Sequence, residues 1–453
     1  MRFLAVPFFS KLSVISALSV SLAALSACGA SDPQNVEATT EVATSVEAIP
    51  QLAGDAGSAP TGAVYRVGEI TVPAGFQISV FHEGVGERAR HIAVRDNGDL
   101  FVARLDGTLI ALRDTNGDGV ADEKRERAAP ISTDVEIRDG WLYISDRVSV
   151  SRIQLSDTLL PDGEFETVIG GFPEERQHAD KNFAFDENGN IYVNIGAPAN
   201  ACQVEMRTPG SPGQVPCGLL ENYAGIWKFN GSVSGQTPED GYRFVTGTRN
   251  AIAMKWHSGR GGLLLANHGR DQLSSLFPDL FTDEQSALLP AEEFHFATEG
   301  ADIGWPYTYY DPAHSVRRLA PEYGGDGENL PDETYQEPIH AFPAHWAPND
   351  LILIENAALT APFTKGALIA FHGSWNRAPQ PQAGYRVVFV PMDEGRIVGD
   401  PVDFALGFAM VDPVDSPGDA IHRPMGLATG PDGAIYISDS RQGTIFRVTA
   451  DNQ

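Results

Sequence analysis

The stretch DENGNIYVNIG at residues 186–196 places a turn glycine ahead of a short apolar strand, and the same pairing recurs along the chain. A polar tight turn built on glycine before alternating or apolar residues is a β-hairpin signal. The turns are Asn97-Gly98, Asp139-Gly140, Asn188-Gly189, Gly261-Gly262, Lys365-Gly366 and Asp432-Gly433. This recurrence indicates one repeated unit, and repeated four-stranded units close into a β-propeller around a channel.

The spacing of the turns predicts six blades in an all-β fold. The intervals from Gly98 to Gly140 and from Gly140 to Gly189 each fit one blade, and the later intervals need long loop insertions. An irregular β-sandwich would also contain many strands, but it would not repeat the pairing of turn and strand so often. We expect GFQISVF at 75–81 to pair with GTIFRV at 443–448 and close the ring.

The composition is strongly acidic, with 60 Asp and Glu against 32 Lys and Arg in 453 residues. This balance argues against nucleic acid as a partner, because neutralising phosphates needs a basic surface. We interpret the acidity as a contribution to solubility. The few positive charges that remain therefore become the more informative ones.

The N-terminus has the pattern of a targeting segment. A basic start at Arg2 precedes a long apolar region, and Leu25-Ser26-Ala27-Cys28 resembles a bacterial lipobox in which Cys28 is lipidated. A plain secretory signal is the alternative, and both predict export. The residues after Cys28 lack an early Asp, which resembles lipoproteins sent to the outer membrane, so we expect an anchor on its periplasmic face. The predicted organisation is a signal peptide at 1–27, a flexible tether at 28–62 and a propeller domain at 63–453.

Two cysteines remain in the exported part of the chain, Cys202 and Cys217. An oxidising compartment favours a disulfide between them, closing a short loop beside the third blade. A metal site is the alternative, but neither CxxC nor a nearby Cys/His cluster supports it. No CxxCH occurs, so the chain carries no c-type haem of its own.

The strongest metal signal is DTNGDGVADE at residues 114–123. Oxygen side chains at alternating positions with glycine at the sixth can wrap calcium, as in the first half of an EF-hand loop. The twelfth position is Arg125, so the motif is incomplete, and an acidic surface turn is the alternative. The predicted ligands are Asp114, Asn116, Asp118, the Val120 carbonyl and Asp122.

The candidates for chemistry lie at the ends of the repeat strands, where propeller loops face the channel. They occur in Arg90-His91, QHADKN at 177–182, GTRN at 247–250, NHGRD at 267–271, HGSWNR at 372–377, Arg423-Pro424 and DSR at 439–441. Equivalent positions in successive blades converge on one face. These residues therefore predict one basic, aromatic-lined pocket in an acidic protein, although each alone could be an ordinary salt bridge or packing residue.

A pocket of this kind suits a flat anionic ligand. Guanidinium groups bind carboxylates in bidentate fashion and stack on planar rings, so several around one cavity suggest a polycarboxylate or polyphosphate. No GxGxxG or GxxxxGK[ST] indicates a nucleotide site, and no GxSxG indicates a serine hydrolase.

These motifs resemble those of the pyrroloquinoline-quinone (PQQ)-dependent sugar dehydrogenases, in the glucose/sorbosone dehydrogenase-like group of six-bladed propellers. The resemblance covers about residues 70–449 and depends most on HGSWNR with the spaced GTRN and NHGRD segments. It implies an oxidoreductase that passes hydride from a sugar hydroxyl carbon to the quinone. It also implies calcium, a sugar substrate and an electron acceptor, either a quinone or a cytochrome, that the sequence leaves unidentified.

The resemblance also implies roles for individual residues. His178 corresponds to the general base, a task that suits an imidazole. Arg249 and Asn250 correspond to a cofactor-contacting pair, and the Gly269 and Arg270 carbonyls to the ligands of a second calcium ion that acts on the quinone as a Lewis acid. Further cofactor or substrate contacts are expected at Arg90, His372, Trp375, Asn376, Arg377, Arg423 and Arg441.

Two departures from the family pattern bear on the site. Lys181 stands where relatives often have arginine, and GAPAN at 196–200 lacks the family's cysteine. The aromatic-rich insertion at about 282–358 is expected to wall the pocket and select the sugar; an ordinary packed loop is the alternative. Two other functions share the architecture: a calcium-dependent lactonase with acidic and amide ligands in its channel, and a non-catalytic glycan-binding or scaffold lipoprotein.

Overall fold

The computed structural model describes residues 65–67, 70–356 and 359–451. The predicted signal peptide at 1–27, the lipidated Cys28 and the tether at 28–62 lie outside these residues. Within the described part of the chain, no helix is both long and apolar enough to cross a membrane.

The described strands form a ring of six sheets, which confirms the predicted six-bladed propeller. Three strands precede blade 1 in the chain: β1 (Tyr65–Val67), β2 (Ile70–Val72) and β3 (Phe76–His82). Blade 1 contains β4 (Ala89–Val94), β5 (Leu100–Arg104), β6 (Thr108–Arg113) and β7 (Glu123–Ala128). Blade 2 contains β8 (Val135–Arg138), β9 (Trp141–Ser145), β10 (Ser149–Gln154) and β11 (Glu166–Gly170). Blade 3 contains β12 (Phe183–Phe185), β13 (Asn190–Ile195), β14 (Gly225–Asn230) and β15 (Tyr242–Thr246).

The second half of the ring carries most of the additional elements. Blade 4 contains β16 (Ala253–His257), β17 (Gly262–Asn267), β18 (Glu292–Ala297) and β22 (His340–Phe342). Three short strands lie between β18 and β22 in the chain: β19 (Ala301–Asp302), β20 (Thr308–Asp311) and β21 (Val316–Leu319). Blade 5 contains β23 (Pro348–Glu355), β24 (Lys365–Phe371), β25 (Arg386–Asp393), β26 (Arg396–Ile397) and β27 (Val402–Ala405). Blade 6 contains β28 (Pro424–Thr429), β29 (Ile435–Asp439), β30 (Ile445–Ala450) and β3. The helices are α1 (Leu273–Leu276), α2 (Asp283–Leu288) and the 3-10 turns Gly218–Glu221, Pro238–Asp240 and Pro321–Tyr323.

Five of the six predicted turns join the first and second strands of a blade. In each of them a glycine takes a left-handed backbone, with φ of 88°, 78°, 82°, 69° and 80° at Gly98, Gly140, Gly189, Gly261 and Gly433. Glycine adopts this region without a steric penalty, which explains the recurrence. The sixth prediction was wrong: Lys365 and Gly366 lie inside β24. A Cβ on Gly366 would stand 2.2 Å from the Val390 carbonyl oxygen, so this glycine permits close strand packing instead.

The ring closes as predicted. β3 pairs antiparallel with β30, and Ile78 lies opposite Val448. Alternate residues of β3 are buried at Phe76 and Ile78, which fits a strand with one face on the core. The sixth blade is therefore built from both ends of the described chain.

The core is a ring of apolar clusters between neighbouring blades. Phe101, Leu109 and Leu142, for example, fill the space between blades 1 and 2. The first strands of neighbouring blades contact one another around the channel. Because strands alternate in direction, the glycine turns share one end of the ring, here called the turn end. The segments entering first strands and the loops joining second to third strands share the other, the site end.

Three aromatic residues of the insertion that were expected to wall the pocket, Trp305, Tyr309 and Trp346, are buried instead, whereas Tyr307, Tyr310, Tyr323 and Tyr335 are partly exposed. Trp305 and Trp346 are only 6% and 2% exposed, and Tyr309 is buried among Leu273, Phe281 and Ala320. The indole Nε1 of Trp305 donates a 2.9 Å hydrogen bond to the Asn200 carbonyl oxygen. The three buried rings support the site-end loops from behind and are unavailable for stacking on a sugar.

Candidate functional site

The predicted site residues lie at the site end, with the exception of the calcium loop. His178 and Arg249 lie in the segments that enter β12 and β16. Asn250 and Arg423 likewise precede first strands, Arg90 lies at the start of β4, and Arg441 lies between β29 and β30. Three long loops between second and third strands supply the rest: 196–224 in blade 3, 268–291 in blade 4 and 372–385 in blade 5. The repeat thus brings together residues as far apart in the chain as Arg90 and Arg441.

A backbone carbonyl fixes the tautomer of the His178 imidazole. Its Nδ1 lies 2.6 Å from the carbonyl oxygen of Ala197, which can only accept, so Nδ1 carries the proton. The lone pair is therefore on Nε2, for which no described residue is a hydrogen-bond partner. Burial, followed by the nearby Arg249 guanidinium, lowers the pKa of His178 to about 3. The imidazole is neutral at ordinary pH and can accept a proton at Nε2.

The backbone at His178 is constrained as well. Its φ of 49° is in the left-handed region, which is uncommon outside glycine and concentrates at functional sites. Gly196 lies against it, and a Cβ there would stand 2.6 Å from the His178 Cβ. The glycine that ends the opening motif IYVNIG is therefore required for this packing.

Arg249 is almost completely buried and its guanidinium is largely occupied by the protein. One terminal nitrogen donates to the Gly269 carbonyl oxygen at 2.8 Å. The other donates to Asp271 at 2.7 Å and to the Asn200 amide oxygen at 3.2 Å. Its Nε, by contrast, is buried without a partner.

Asn250 and Asn376 extend this polar wall. The Asn250 side-chain oxygen accepts a 3.2 Å bond from Asn194. Asn376 donates its Nδ2 to Asp271 at 2.6 Å, while its Oδ1 is buried without a partner. Trp375 beside it is 56% exposed, so its ring is free to stack on a ligand.

A group of arginines at the site end lacks ion pairs. Arg90, Arg423 and Arg441 influence one another electrostatically, yet among residues 70–356 and 359–451 no carboxylate makes ion-pair contact with any of them. Arg423 donates to the carbonyl oxygen of His372, and Arg90 has a buried Nε without a partner. Burial and these two arginines hold the pKa of His372 well below its usual value. The three guanidinium groups form a positive patch that no ion pair among the described residues compensates, and the nearby negative charges are those of Asp180 at Arg90 and Asp439 at Arg423.

Two predicted cofactor or metal contacts have other partners. Arg377 donates to the carbonyl oxygens of Ala287 and Ala344 at 3.2 Å, tying neighbouring loops together. Arg270 forms a buried ion pair with Glu322. The Gly269 carbonyl oxygen accepts a hydrogen bond from the Arg249 guanidinium. Binding of a second calcium ion by the Gly269 and Arg270 carbonyls stays a prediction.

The predicted calcium loop lies between β6 and β7 at the turn end, away from the channel mouth. Asp114 accepts bonds from the backbone N–H groups of Gly117 and Gly119 at 2.7 and 2.8 Å. Thr115 donates to Asp122 at 2.7 Å. In the described part of the chain, no three His, Cys, Asp or Glu side chains are arranged to hold a metal. Ligation by Asp114, Asn116, Asp118, Val120 and Asp122 stays a prediction.

Cys202 and Cys217 form a disulfide with an S–S distance of 1.99 Å, the expected pairing. It closes part of the blade 3 loop. Arg207 within this loop lies 3.5 Å from Asp271 and contacts Gln272. The closed loop thereby reaches the same carboxylate as Arg249.

Sequence reasoning missed a second polar group, deeper on the axis. We call it the axial cluster: His91, Asp134, Glu136, Lys255 and Asp350. These side chains line a cavity of about 30 Å³. His91 Nδ1 lies 2.9 Å from Asp134, and Glu136 pairs with Lys255. Simple strand alternation could not have separated it from Arg90, because the register of β4 against β5 shifts between Ala89 and Ile92, the stretch that contains Arg90 and His91.

Asp271 was also missed, although it lay in a quoted motif. It is buried and contacts Arg249, Arg207 and Asn376. The signal available was the need of a buried arginine for a carboxylate partner, since unpaired buried charges are costly. NHGRD supplies that carboxylate in the loop next to GTRN.

The site residues fit a flat tricarboxylate such as the quinone. The arginines of the patch supply positive charge for carboxylates. Several buried polar atoms at this end have no partner, which a bound ligand would supply: Arg90 Nε, Gln177 Oε1, Asn182 Oδ1, Thr248 Oγ1, Arg249 Nε, Asn376 Oδ1 and Tyr385 OH. Native proteins rarely leave such atoms unsatisfied, and a ligand bound at the site end would supply partners for those that it contacts. Other such atoms, for example at Arg104, His257 and Arg317, lie elsewhere.

Comparison with known proteins agrees with this fold. Residues 319–451 match the TrAA12-like family model. This segment contains the HGSWNR motif, Arg423 and Arg441. Among curated proteins, an uncharacterized protein of Borreliella burgdorferi is 22% identical over 391 residues, covering 84% of this chain and 90% of that protein.

Solved structures share the fold across almost their whole length. The family AA12 carbohydrate-active enzyme of Trichoderma reesei is 18% identical with a TM-score of 0.67, covering 84% of this chain and 98% of that one. The holo PQQ domain of Coprinopsis cinerea pyranose dehydrogenase is 18% identical with a TM-score of 0.67, covering 86% and 99%. PQQ-bound aldose sugar dehydrogenase of Streptomyces coelicolor is 15% identical with a TM-score of 0.51, covering 83% and 99%. The fold implied by the sequence resemblance is confirmed.

Proposed function

We propose that the chain is a PQQ-dependent dehydrogenase that oxidises a hydroxyl of an aldose or related sugar. The observation that carries the proposal is the patch of Arg90, Arg423 and Arg441, which lacks ion pairs, at the same end of the ring as a neutral His178 whose Nε2 has no hydrogen-bond partner among the described residues. The resemblance of the fold to PQQ-containing sugar dehydrogenases supports the same assignment. An anion-binding patch and a proton acceptor at one channel mouth are the two parts that this chemistry needs from the protein.

The residues that would hold the quinone follow from their free groups. Arg90, Arg423 and Arg441 would bind its carboxylates, because guanidinium–carboxylate bonds are both charged and directional. Arg249 would donate through Nε, and Asn376 would accept through Oδ1. When bound, the quinone supplies the acceptor for the hydride that leaves the sugar carbon.

His178 would act on the sugar hydroxyl. Its Nε2 accepts the hydroxyl proton while the C–H bond breaks, and its Nδ1–H stays on the Ala197 carbonyl oxygen and orients the ring. Because burial keeps the imidazole neutral, no proton has to leave it before the reaction. Trp375 offers an exposed ring against which a sugar face could lie.

Calcium enters the proposal only at the turn end. We propose that the loop at 114–122 binds calcium and stabilises blade 1. Calcium should raise the thermal unfolding midpoint of the parent protein but not that of Asp114→Ala. An equal response in both proteins would contradict calcium binding at this loop.

The lactonase alternative has less support. It needs free carboxylate and amide ligands in the channel, whereas Asp134 on the axis is engaged with His91 and with the backbone N–H groups of Val135 and Phe183. We retain the dehydrogenase because the open end of the channel is basic.

We further propose export and lipid anchoring at Cys28, with the propeller on the periplasmic face of the outer membrane and an external electron acceptor. Labelling cells with a radioactive fatty acid should mark the parent protein and not Cys28→Ser. Label retained in that variant would contradict the anchor.

The central test is reconstitution of purified protein with the quinone and calcium, followed by dye reduction with a panel of sugars. Dye reduction should depend on the quinone and be lost in His178→Ala. Absence of quinone binding would overturn the dehydrogenase assignment. Full activity of His178→Ala with quinone bound would overturn only the assigned base.

A further inference from the structure

Asp271 connects three blades at the centre of the site. Its carboxylate accepts from Arg249 at 2.7 Å and from Asn376 Nδ2 at 2.6 Å, and its backbone N–H donates to Asn200 Oδ1 at 2.8 Å. Arg207 approaches to 3.5 Å. Blades 3, 4 and 5 thus share one buried anion.

The charge state of Asp271 determines which hydrogen bonds its neighbours can form. Burial alone would raise its pKa, but Arg249 and the other nearby cations outweigh burial and hold the pKa below its usual value. An ionised carboxylate only accepts hydrogen bonds. Asn376 must therefore donate its Nδ2, which leaves Oδ1 as the only amide atom without a partner.

The same logic applies to Arg249. Its two terminal nitrogens are taken by Asp271, Asn200 and Gly269, so its Nε is the nitrogen left over. One free acceptor and one free donor therefore remain on two side chains that share a partner.

We propose that Asp271 is a positioning residue that fixes the hydrogen-bonding sense of the pocket, leaving Asn376 Oδ1 to accept and Arg249 Nε to donate. The matching ligand carries an N–H or O–H near an anionic or carbonyl oxygen. This inference rests on the proposed function, because the quinone is the ligand it describes.

The test is titration of the cofactor-free protein with the quinone in three variants. Asp271→Asn lets both amides turn, so we expect at least tenfold weaker binding. Asn376→Asp sets two carboxylates against each other, so we expect a larger loss. The double variant Asp271→Asn/Asn376→Asp exchanges the partners and restores an amide-to-carboxylate bond with an acceptor still free at position 376. We expect its affinity to exceed that of Asn376→Asp by at least threefold. Recovery should be incomplete, because Arg249 loses its carboxylate partner at position 271.

Asp99→Asn is the matched control. Asp99 is equally buried and holds Arg113 at 2.6 Å, but it lies at the turn end. It should lower the thermal unfolding midpoint and leave quinone affinity unchanged. The proposal is overturned if the double variant binds no better than the weaker single variant, or if Asp99→Asn loses as much quinone affinity as Asp271→Asn.

A second readout separates this inference from the proposed function. In cofactor-free protein labelled with 15N-asparagine, the Asn376 side-chain signals are assigned with Asn376→Ser. Asp271→Asn should shift them, because the charged partner is lost. Failure of the parent to bind quinone overturns the proposed function, whereas an unshifted Asn376 signal overturns the role of Asp271.

Discussion

The axial cluster and the arginine patch are both polar groups on or near the propeller axis, but they balance charge differently. In the axial cluster, the carboxylates of Asp134 and Glu136 meet His91 and Lys255. In the patch, Arg90 and Arg423 have positive neighbours and no ion pair among the described residues. Buried charged side chains that pair with one another serve the stability of the fold. Buried charged side chains that lack such partners can bind a ligand of opposite charge.

The largest expected effect comes from removing the patch. Arg90→Gln/Arg423→Gln should weaken quinone binding by roughly a hundredfold or more, because each charged hydrogen bond contributes about 1.5–3 kcal/mol. The free energy of unfolding should change by less than about 2 kcal/mol, because the loss of repulsion between two positive charges offsets the loss of the Arg423 bonds to the His372 and Gly373 carbonyl oxygens. Equilibrium titration and thermal unfolding check the two effects. If the variant does not fold, or if its quinone affinity is unchanged, the distinction between the axial cluster and the arginine patch is wrong.

His178→Gln should lower kcat by about a hundredfold or more at unchanged quinone affinity, because general base catalysis contributes about that much. His314→Gln, at an exposed histidine, is the control. The pH profile adds a sharper check: with a pKa of about 3, His178 is deprotonated above that pH. kcat/KM should therefore show no acid limb near pH 6.5 from this residue. A limb there that disappears in His178→Gln would contradict the neutral base.

The sequence was sufficient for the ring and for the members of the patch. Glycine turns report local backbone geometry, and five of them predicted blade positions correctly. The prediction failed at Gly366 because glycine is needed there for a long-range contact. The neighbouring strand leaves no room for a Cβ, and a left-handed φ is not involved. The same limit explains Trp305, whose exposure depends on the path of the insertion rather than on its own segment.

The donor and acceptor pattern of the site could not be predicted in the same way. Arg249 was identified as a cofactor contact, but its occupation by Asp271 and Gly269 depends on loops from other blades. His91 was quoted next to Arg90, yet a register shift in β4 and different tertiary partners, Asp134 for His91 and Met425 for Arg90, place the two side chains in different groups. The residue types predicted a positively charged pocket. Tertiary contacts determine which of its donor and acceptor atoms remain without a partner.

The axial cluster should make stability depend on pH. Burial alone would lower the pKa of His91, but Asp350 and Asp134 outweigh burial and raise it to about 9. A raised histidine pKa stabilises the fold fully below about pH 6.5, and the effect is lost as pH rises through 9. The loss amounts to at most about 3 kcal/mol. Denaturant unfolding between pH 6 and 10 should show this decline, and His91→Gln should flatten it. A decline of equal size in the variant would assign it to other groups.

The smallest expected effect concerns Glu136 and Lys255, the pair that completes the axial cluster. Glu136→Leu leaves the ammonium group without its partner and should cost about 1–2 kcal/mol of unfolding free energy, a value reduced by the partial exposure of Lys255. The double variant Glu136→Leu/Lys255→Met removes both charges at similar volume and should lie within about 1 kcal/mol of the parent protein. Quinone affinity should not change in either variant, because neither residue lies in the patch. A loss of affinity in the double variant would mean that the axial charges help hold the ligand, and the two groups would then have to be treated as one site.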